Sequence, residues 1–179
     1  MDSSVKTNWL IDPMHSEVHF KVKHLVISTV TGIFKSFEGS LETSSVDFED
    51  ASIQFSMDVN SIDTNQEQRD VHLKSADFFD ADQFPKISFK STSFKKDGDD
   101  YALIGDLTIK NVTKQVTLNV EFGGVATDFY GNDKAGFEVS GKISRKEFGL
   151  TWDGITEAGA IVVGDDIKLS MNIQLGKQA

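Results

Sequence analysis

Cysteine is absent from this chain of 179 residues, and with it go disulfides, thiolate zinc sites and cysteine nucleophiles. Such an absence fits a reducing compartment. Proline is scarce: only Pro13 and Pro85 occur, each at the expected start of a strand, where a missing N–H donor is tolerated. No apolar run approaches the length needed to span a bilayer, and the opening MDSSVKTNWLIDP lacks the basic end and apolar stretch of a secretory signal. The expectation is a cytoplasmic, soluble protein without stable membrane insertion; a chain cut short of its leader would be periplasmic or secreted. Positive charge is in deficit too. With 18 Lys and Arg against 28 Asp and Glu the formal net charge is -10, a field that repels nucleic-acid phosphates and anionic lipid head groups, so no nucleic-acid partner is expected. Aromatics with a polar atom are few, two Trp and two Tyr against 14 Phe, and a phenyl ring needs no hydrogen-bond partner inside a core.

What the chain does have is alternation. In IKLSMNIQL the residues Ile167, Leu169, Met171, Ile173 and Leu175 fall on one side of an extended strand, and Lys168, Ser170, Asn172 and Gln174 on the other. The same period, with Val, Ile, Phe and Thr enriched, predicts strands near 8–12, 17–25, 29–42, 51–59, 86–94, 101–110, 114–122, 136–144 and 167–175. Asp97 and Gly98 supply one tight hairpin, and residues 110–113 a second, with Asn111 tolerating positive φ. Short loops cannot make parallel pairs, so the expected fold is all-β: a single domain, 1–179, forming a closed antiparallel meander.

Between Ile62 and Pro85 the period stops. Thr64, Asn65, Gln66 and Glu67 read as a capping box, which starts a helix running to about Lys74, with a further helical turn at 76–80 carrying Phe78 and Phe79. This helical insert, near residues 64–80, either caps the mouth of the barrel or packs on its outside, and the cap is the preferred reading.

If the apolar sides point inward, the interior is lined by Val18, Phe20, Val22, Phe55, Met57, Phe89, Leu107, Phe137, Val139, Leu169 and Met171 among others. Periodicity alone does not separate a full barrel from a hollow one. Polar residues that continue the inward faces are His24, Ser91, Ser93 and Arg145, each toward a strand end. There they either emerge into water or offer a polar head group a partner, while its chain methylenes gain about 0.8 kcal/mol apiece on burial. Arg69 and His72 on the helix face the same choice, or pair with Asp70 or Asp77. His15, Glu17 and His19 alternate along one strand and would form a row suited to a divalent metal, on the face opposite Val18 and Phe20. A metal-dependent enzyme built on that row is the catalytic alternative. Against it, no nucleophile elbow, phosphate loop or HExxH pattern occurs, and neither a catalytic residue nor a cofactor is assigned.

One set of motifs is specific when taken together. DPMHSEVHFKVKHL (Asp12 to Leu25), then Gly32, Phe34, Phe37 and Gly39, then Thr64, Arg69, Asp70, His72, Leu73, Phe78 and Phe79, then GDLTIKNVTKQVTLNVEF, Arg145 and the closing GDDIKLSMNIQL occur in order. Together they strongly resemble the YceI-like, polyisoprenoid-binding family, over about Trp9 to Leu175. The resemblance implies an extended lipocalin-like antiparallel β-barrel. It further implies an internal hydrophobic tunnel for a long-chain lipid, such as a polyisoprenoid, a quinone tail or a fatty amide or acid, held for carriage or storage without catalysis. His24, Arg69, His72 and Arg145 are the rim groups expected to meet the head. A structural or interaction domain with a solid core is the rival reading. The resemblance also makes a homodimer credible, although the patterning identifies no interface.

Overall fold

Where alternation is strict, strands form. The computed structural model describes residues 6–25, 27–152 and 163–178. Within them lie β1 (Thr7–Ile11), β2 (Glu17–His24), β3 (Ser28–Phe34), β4 (Phe37–Thr43), β5 (Ser52–Asp58), β6 (Ile62–Asp63), β7 (Lys86–Asp97), β8 (Asp100–Ile109), β9 (Val112–Thr127), β10 (Asp133–Ser144), β11 (Val163–Lys177) and one helix, α1 (Glu67–Lys74).

All pairings are antiparallel, and the register shows that several short strands are pieces of longer ones. Both β1 and β2 pair with β11, Ile11 opposite Leu175 and Glu17 opposite Asn172, so they follow one line interrupted at 12–16. In the same way β3 and β4 run along β2 and β1, and β5 and β6 run along β4 and β3. Counted as continuous lines, the sheet is an eight-stranded up-and-down barrel, closed where β11 meets β1 and β2.

The breaks are chemically specified. Pro13 is not at a strand start; it opens a 3-10 turn, Pro13–His15, as its fixed φ and missing N–H suit. Asp12 caps that turn by accepting from Met14 N at 3.1 Å, and Gln174 bridges the gap by accepting from Asp12 N and donating to Ser16 Oγ, 2.8 and 2.9 Å. The span expected as one strand, 29–42, is two, because Lys35 and Ser36 turn out of register to bond Ser61 O and Asp58 N. In the 110–111 turn it is Lys110, not Asn111, that takes positive φ (57°).

The capping box does not form. Gln66 caps α1 by accepting from Arg69 N at 2.6 Å, and Thr64 turns its hydroxyl to Asp70 instead. Hydrogen-bonded turns, not a second helix, carry Phe78 and Phe79. The insert nonetheless stands over one end of the barrel, where Arg69, His72 and Leu73 of α1 together with Phe78 and Phe79 face the interior.

At the other end the core is solid. Phe48, on the 44–51 loop, meets Trp9, Phe122 and Phe137 with ring centroids 5.2 to 5.3 Å apart, and Phe94 stacks on Tyr101 at 4.7 Å. Tyr101 Oη donates to Asp47 O at 2.5 Å, and Asp47 accepts from Lys96 Nζ at 2.7 Å and from Ser45, which fastens the loop that carries Phe48.

Candidate functional site: an apolar cavity inside the barrel

Between these two ends lies a cavity of about 500 Å³. Its walls are the inward faces of the strands: Val18, Phe20 and Val22 from β2, Phe55 and Met57 from β5, Phe89 from β7, Leu107 from β8, Phe137 and Val139 from β10, Leu169 and Met171 from β11. At the α1 end the lining turns polar, with His24, Arg69, His72, Gln66, Gln68 and Arg145. All fifteen residues singled out from the sequence for ligand binding therefore border one space.

Glycine on the inward face is what leaves room. Gly32 is the cross-strand partner of Phe20, and a Cβ placed there would lie 2.2 Å from Phe20 Cζ. Leu118 lies as close over Gly141 (2.4 Å), and Phe89 over Gly105 (2.5 Å). Large side chains thus lie flat on bare backbone instead of standing up into the lumen.

Two inward assignments change. A bulge between Ser91 and Ser93 shifts the phase of β7, so that Phe94 points inward and Ser93 does not. Ser91 leaves the cavity to accept from Ile53 N at 2.8 Å. The His15, Glu17, His19 row does not assemble either. His15 sits in the 3-10 turn with Nδ1 2.9 Å from Asp12 Oδ2, a contact that holds the Asp12 carboxyl below its ordinary pKa, while His19 pairs separately with Glu17 at 2.9 Å. Among the described residues no cluster of three His, Cys, Asp or Glu side chains could hold a metal ion.

The polar groups at the α1 end differ in what remains available. Arg145 is 2% exposed, and among the described residues its guanidinium donates to four backbone carbonyls: Nε to Gly164 O (2.7 Å), Nη1 to Leu150 O and Trp152 O (2.6 and 2.9 Å), and Nη2 to Val163 O (3.0 Å). That makes it a clamp on the chain around the rim. Next to it, Asp165 accepts from Ser144 Oγ and Lys146 N, which lowers its pKa, the Ser144 bond contributing most. Arg69 is less committed. Its Nε and Nη2 donate to Thr64 Oγ1 and Thr64 O at 2.8 and 2.7 Å, Asp70 accepts from the other side of Thr64, and among the described residues Nη1 carries no hydrogen bond. His72 bonds Asp77 at 2.9 Å while its ring stands edge-on to Trp152 at 4.6 Å and Phe78 at 5.3 Å.

Sequence reasoning missed Trp152, Gln66, Gln68 and Val163 in this lining. They lie on a loop, a helix cap, a solvent-exposed helical turn and a strand end, where no period-two signal exists to assign them a face.

Similarity to known proteins agrees with this geometry. The YceI-like domain family matches residues 9–175. Protein YceI of Escherichia coli is 40% identical over 153 residues, covering 84% of this chain and 80% of its own. A UPF0312 protein of Staphylococcus aureus is 36% identical over 169 residues, 94% of this chain and 96% of its own. Among solved structures, Burkholderia cenocepacia BcnA superposes with a TM-score of 0.77 at 24% identity over 92% of this chain and 98% of that one. The Campylobacter jejuni YCEI protein gives 0.73 at 32% identity over 89% and 91%. A polyisoprenoid binding domain from Saccharophagus degradans gives 0.67 at 15% identity over 93% and 97%. In sequence along nearly its whole length, and in the closed eight-stranded barrel it forms, this chain belongs to the YceI-like domain family.

Proposed function

We propose that the barrel holds a long-chain apolar lipid and acts as its carrier or store, without catalysing a reaction on it. The observation that carries this reading is the size of the void. A packed core is filled by its own side chains, whereas here about 500 Å³ is bordered almost wholly by inward hydrocarbon groups. A wall that keeps such a space open, with glycines under its largest side chains, suits an occupant. The volume lies within the range of small-molecule sites, and the apolar lining sets the chemistry: hydrocarbon, recognised by burial rather than by directional bonds. The structural likeness to a domain described as polyisoprenoid-binding points the same way.

The polarity gradient orients the ligand. Its chain runs along the Phe20, Leu169 and Met171 wall, and its head lies at the α1 end, where the uncommitted Nη1 of Arg69 and the His72 ring are the groups able to meet a carbonyl, hydroxyl or acidic head. Purification under native conditions, extraction with organic solvent and mass spectrometry tests the reading, together with uptake of an added isoprenoid. A co-purifying lipid or stoichiometric uptake, lost in Phe20→Asp or Leu169→Asp, is the expected result. An empty extract with no uptake overturns it.

A further inference from the structure

We infer that Leu25 and Ile27, between β2 and β3, and the lysines beside them form a docking surface for an anionic lipid bilayer, from which the cavity is loaded; this rests on the lipid-holding reading above. Ile27 is 85% exposed, and Leu25 takes a left-handed φ of 54° that an L side chain adopts only with strain. Asn or Gly would sit there more easily and leave no apolar group in water. Beneath these two residues, Lys21, Lys168 and Lys142 stand directly opposite one another across β2, β11 and β10, an arrangement in which like charges repel, and Lys23 follows on the same face of β2. Lys142 is relieved by Asp166 at 3.7 Å, and Asp165 is occupied by Ser144 and Lys146. Lys21, Lys23 and Lys168 make no ion pair among the described residues, and their partners on β3, Thr29 and Thr31, are neutral.

Apolar side chains at a tip with unpaired lysines behind them are the elements of reversible interfacial binding. The net charge of -10 opposes approach from a distance, but at physiological salt, charges farther than about 8 Å are screened, so the local lysines decide the contact. The surface is continuous with the cavity: Lys23, His24 and Val163, the residues behind Leu25 and Ile27, line it. The opposite end of the barrel also exposes two aromatics, Phe129 and Tyr130, but there the lysines are answered by acids, Lys177 by Asp133 at 4.0 Å and Lys134 by Asp128, so the end offers less free positive charge to an anionic surface.

Because the chain has no cysteine, a single one reports its own surroundings. Ile27→Cys and Phe129→Cys, each carrying an environment-sensitive fluorophore, are mixed with phosphatidylcholine vesicles with or without phosphatidylglycerol. The expected result is a blue shift at position 27 only, only with phosphatidylglycerol, weakened by salt and by about fivefold in vesicle affinity for each of Lys21→Ala and Lys168→Ala. A shift at position 129 instead, binding indifferent to phosphatidylglycerol or to the lysines, or no binding at all, overturns the inference. Uptake of isoprenoid from detergent solution is measured alongside. Uptake without vesicle binding removes the docking surface and leaves the lipid-holding reading standing, whereas vesicle binding without uptake removes that reading.

Discussion

The two ends of this barrel are built from the same strands and come out opposite in kind. β11 runs from one to the other, Val163 pairing with His24 at the α1 end and Leu175 with Ile11 and Ala135 at the far end. At the far end the aromatic rings of Trp9, Phe48, Phe94, Tyr101, Phe122 and Phe137 fill the section, Phe48 edge-on to its neighbours and the pairs Phe94–Tyr101 and Phe122–Phe137 stacked, and a loop delivers the plug. At the α1 end, rings stand on the rim, with polar tips between them and empty space behind. The alternating wall is common to both. What differs is whether a connection inserts a ring along the axis, and whether glycine lets the wall's own rings lie flat. Stability is thus concentrated at one end and ligand chemistry at the other, a division that substitutions can test.

The largest effect is expected at the plug. Phe94 is 1% exposed and stacks on Tyr101, so Phe94→Ala costs about 3 to 5 kcal/mol in urea unfolding. Isoprenoid uptake by the protein that remains folded keeps its wild-type head-group preference; a changed preference would mean the ends are not separate. Midway along the wall, Gly32→Ala puts a methyl 2.2 Å from Phe20 and drives that ring into the lumen. The expected cost is about 1 to 3 kcal/mol, with a shorter maximum chain length accepted, read by competition between isoprenoids of different length. At the open end, Arg69→Leu is expected to weaken binding of a lipid with an acidic head by about tenfold, the order of one charge-assisted hydrogen bond, while an unsubstituted hydrocarbon of the same length binds unchanged.

The division into ends was only half legible in the sequence. Residues on strict alternation, such as Phe20, Met57 and Leu169, were assigned to the interior and line the cavity, because a one-residue error there would turn a whole strand inside out. The plug was not legible: Phe48 sits at φ 66° in an irregular loop, and only its long-range contacts make it core. The bulge at Ser91 and Ser93 reversed the phase of β7 without a local signature. β9 runs on to Thr127 with Gly123 to Thr127 exposed, so no apolar face marked its length. At the α1 end the residue types were read correctly but their partners were not. Thr64 seemed a helix cap by spacing and instead holds Arg69 to Asp70, while Arg145 borders the cavity with its donors spent on carbonyls. Local rules choose among nearby partners, and here tertiary partners compete with them.

The smallest expected effect depends on pH and belongs to the plug. Burial raises the pKa of Tyr101 above its ordinary 10.0, since an ionised phenol has no water there, and the neutral hydroxyl donates to Asp47 O. The unfolded chain releases this proton first, so between pH 10 and the folded-state value the unfolded form holds fewer protons than the native one. The contribution is complete below pH 10 and is lost as pH rises through the folded-state pKa. Tyr101→Phe therefore costs about 1 kcal/mol at neutral pH, the order of one net hydrogen bond, and loses less than the wild type does above pH 10. Urea midpoints across that range should converge; parallel curves would mean that this phenol does not titrate differently in the folded state, and the plug would then be held by ring packing alone.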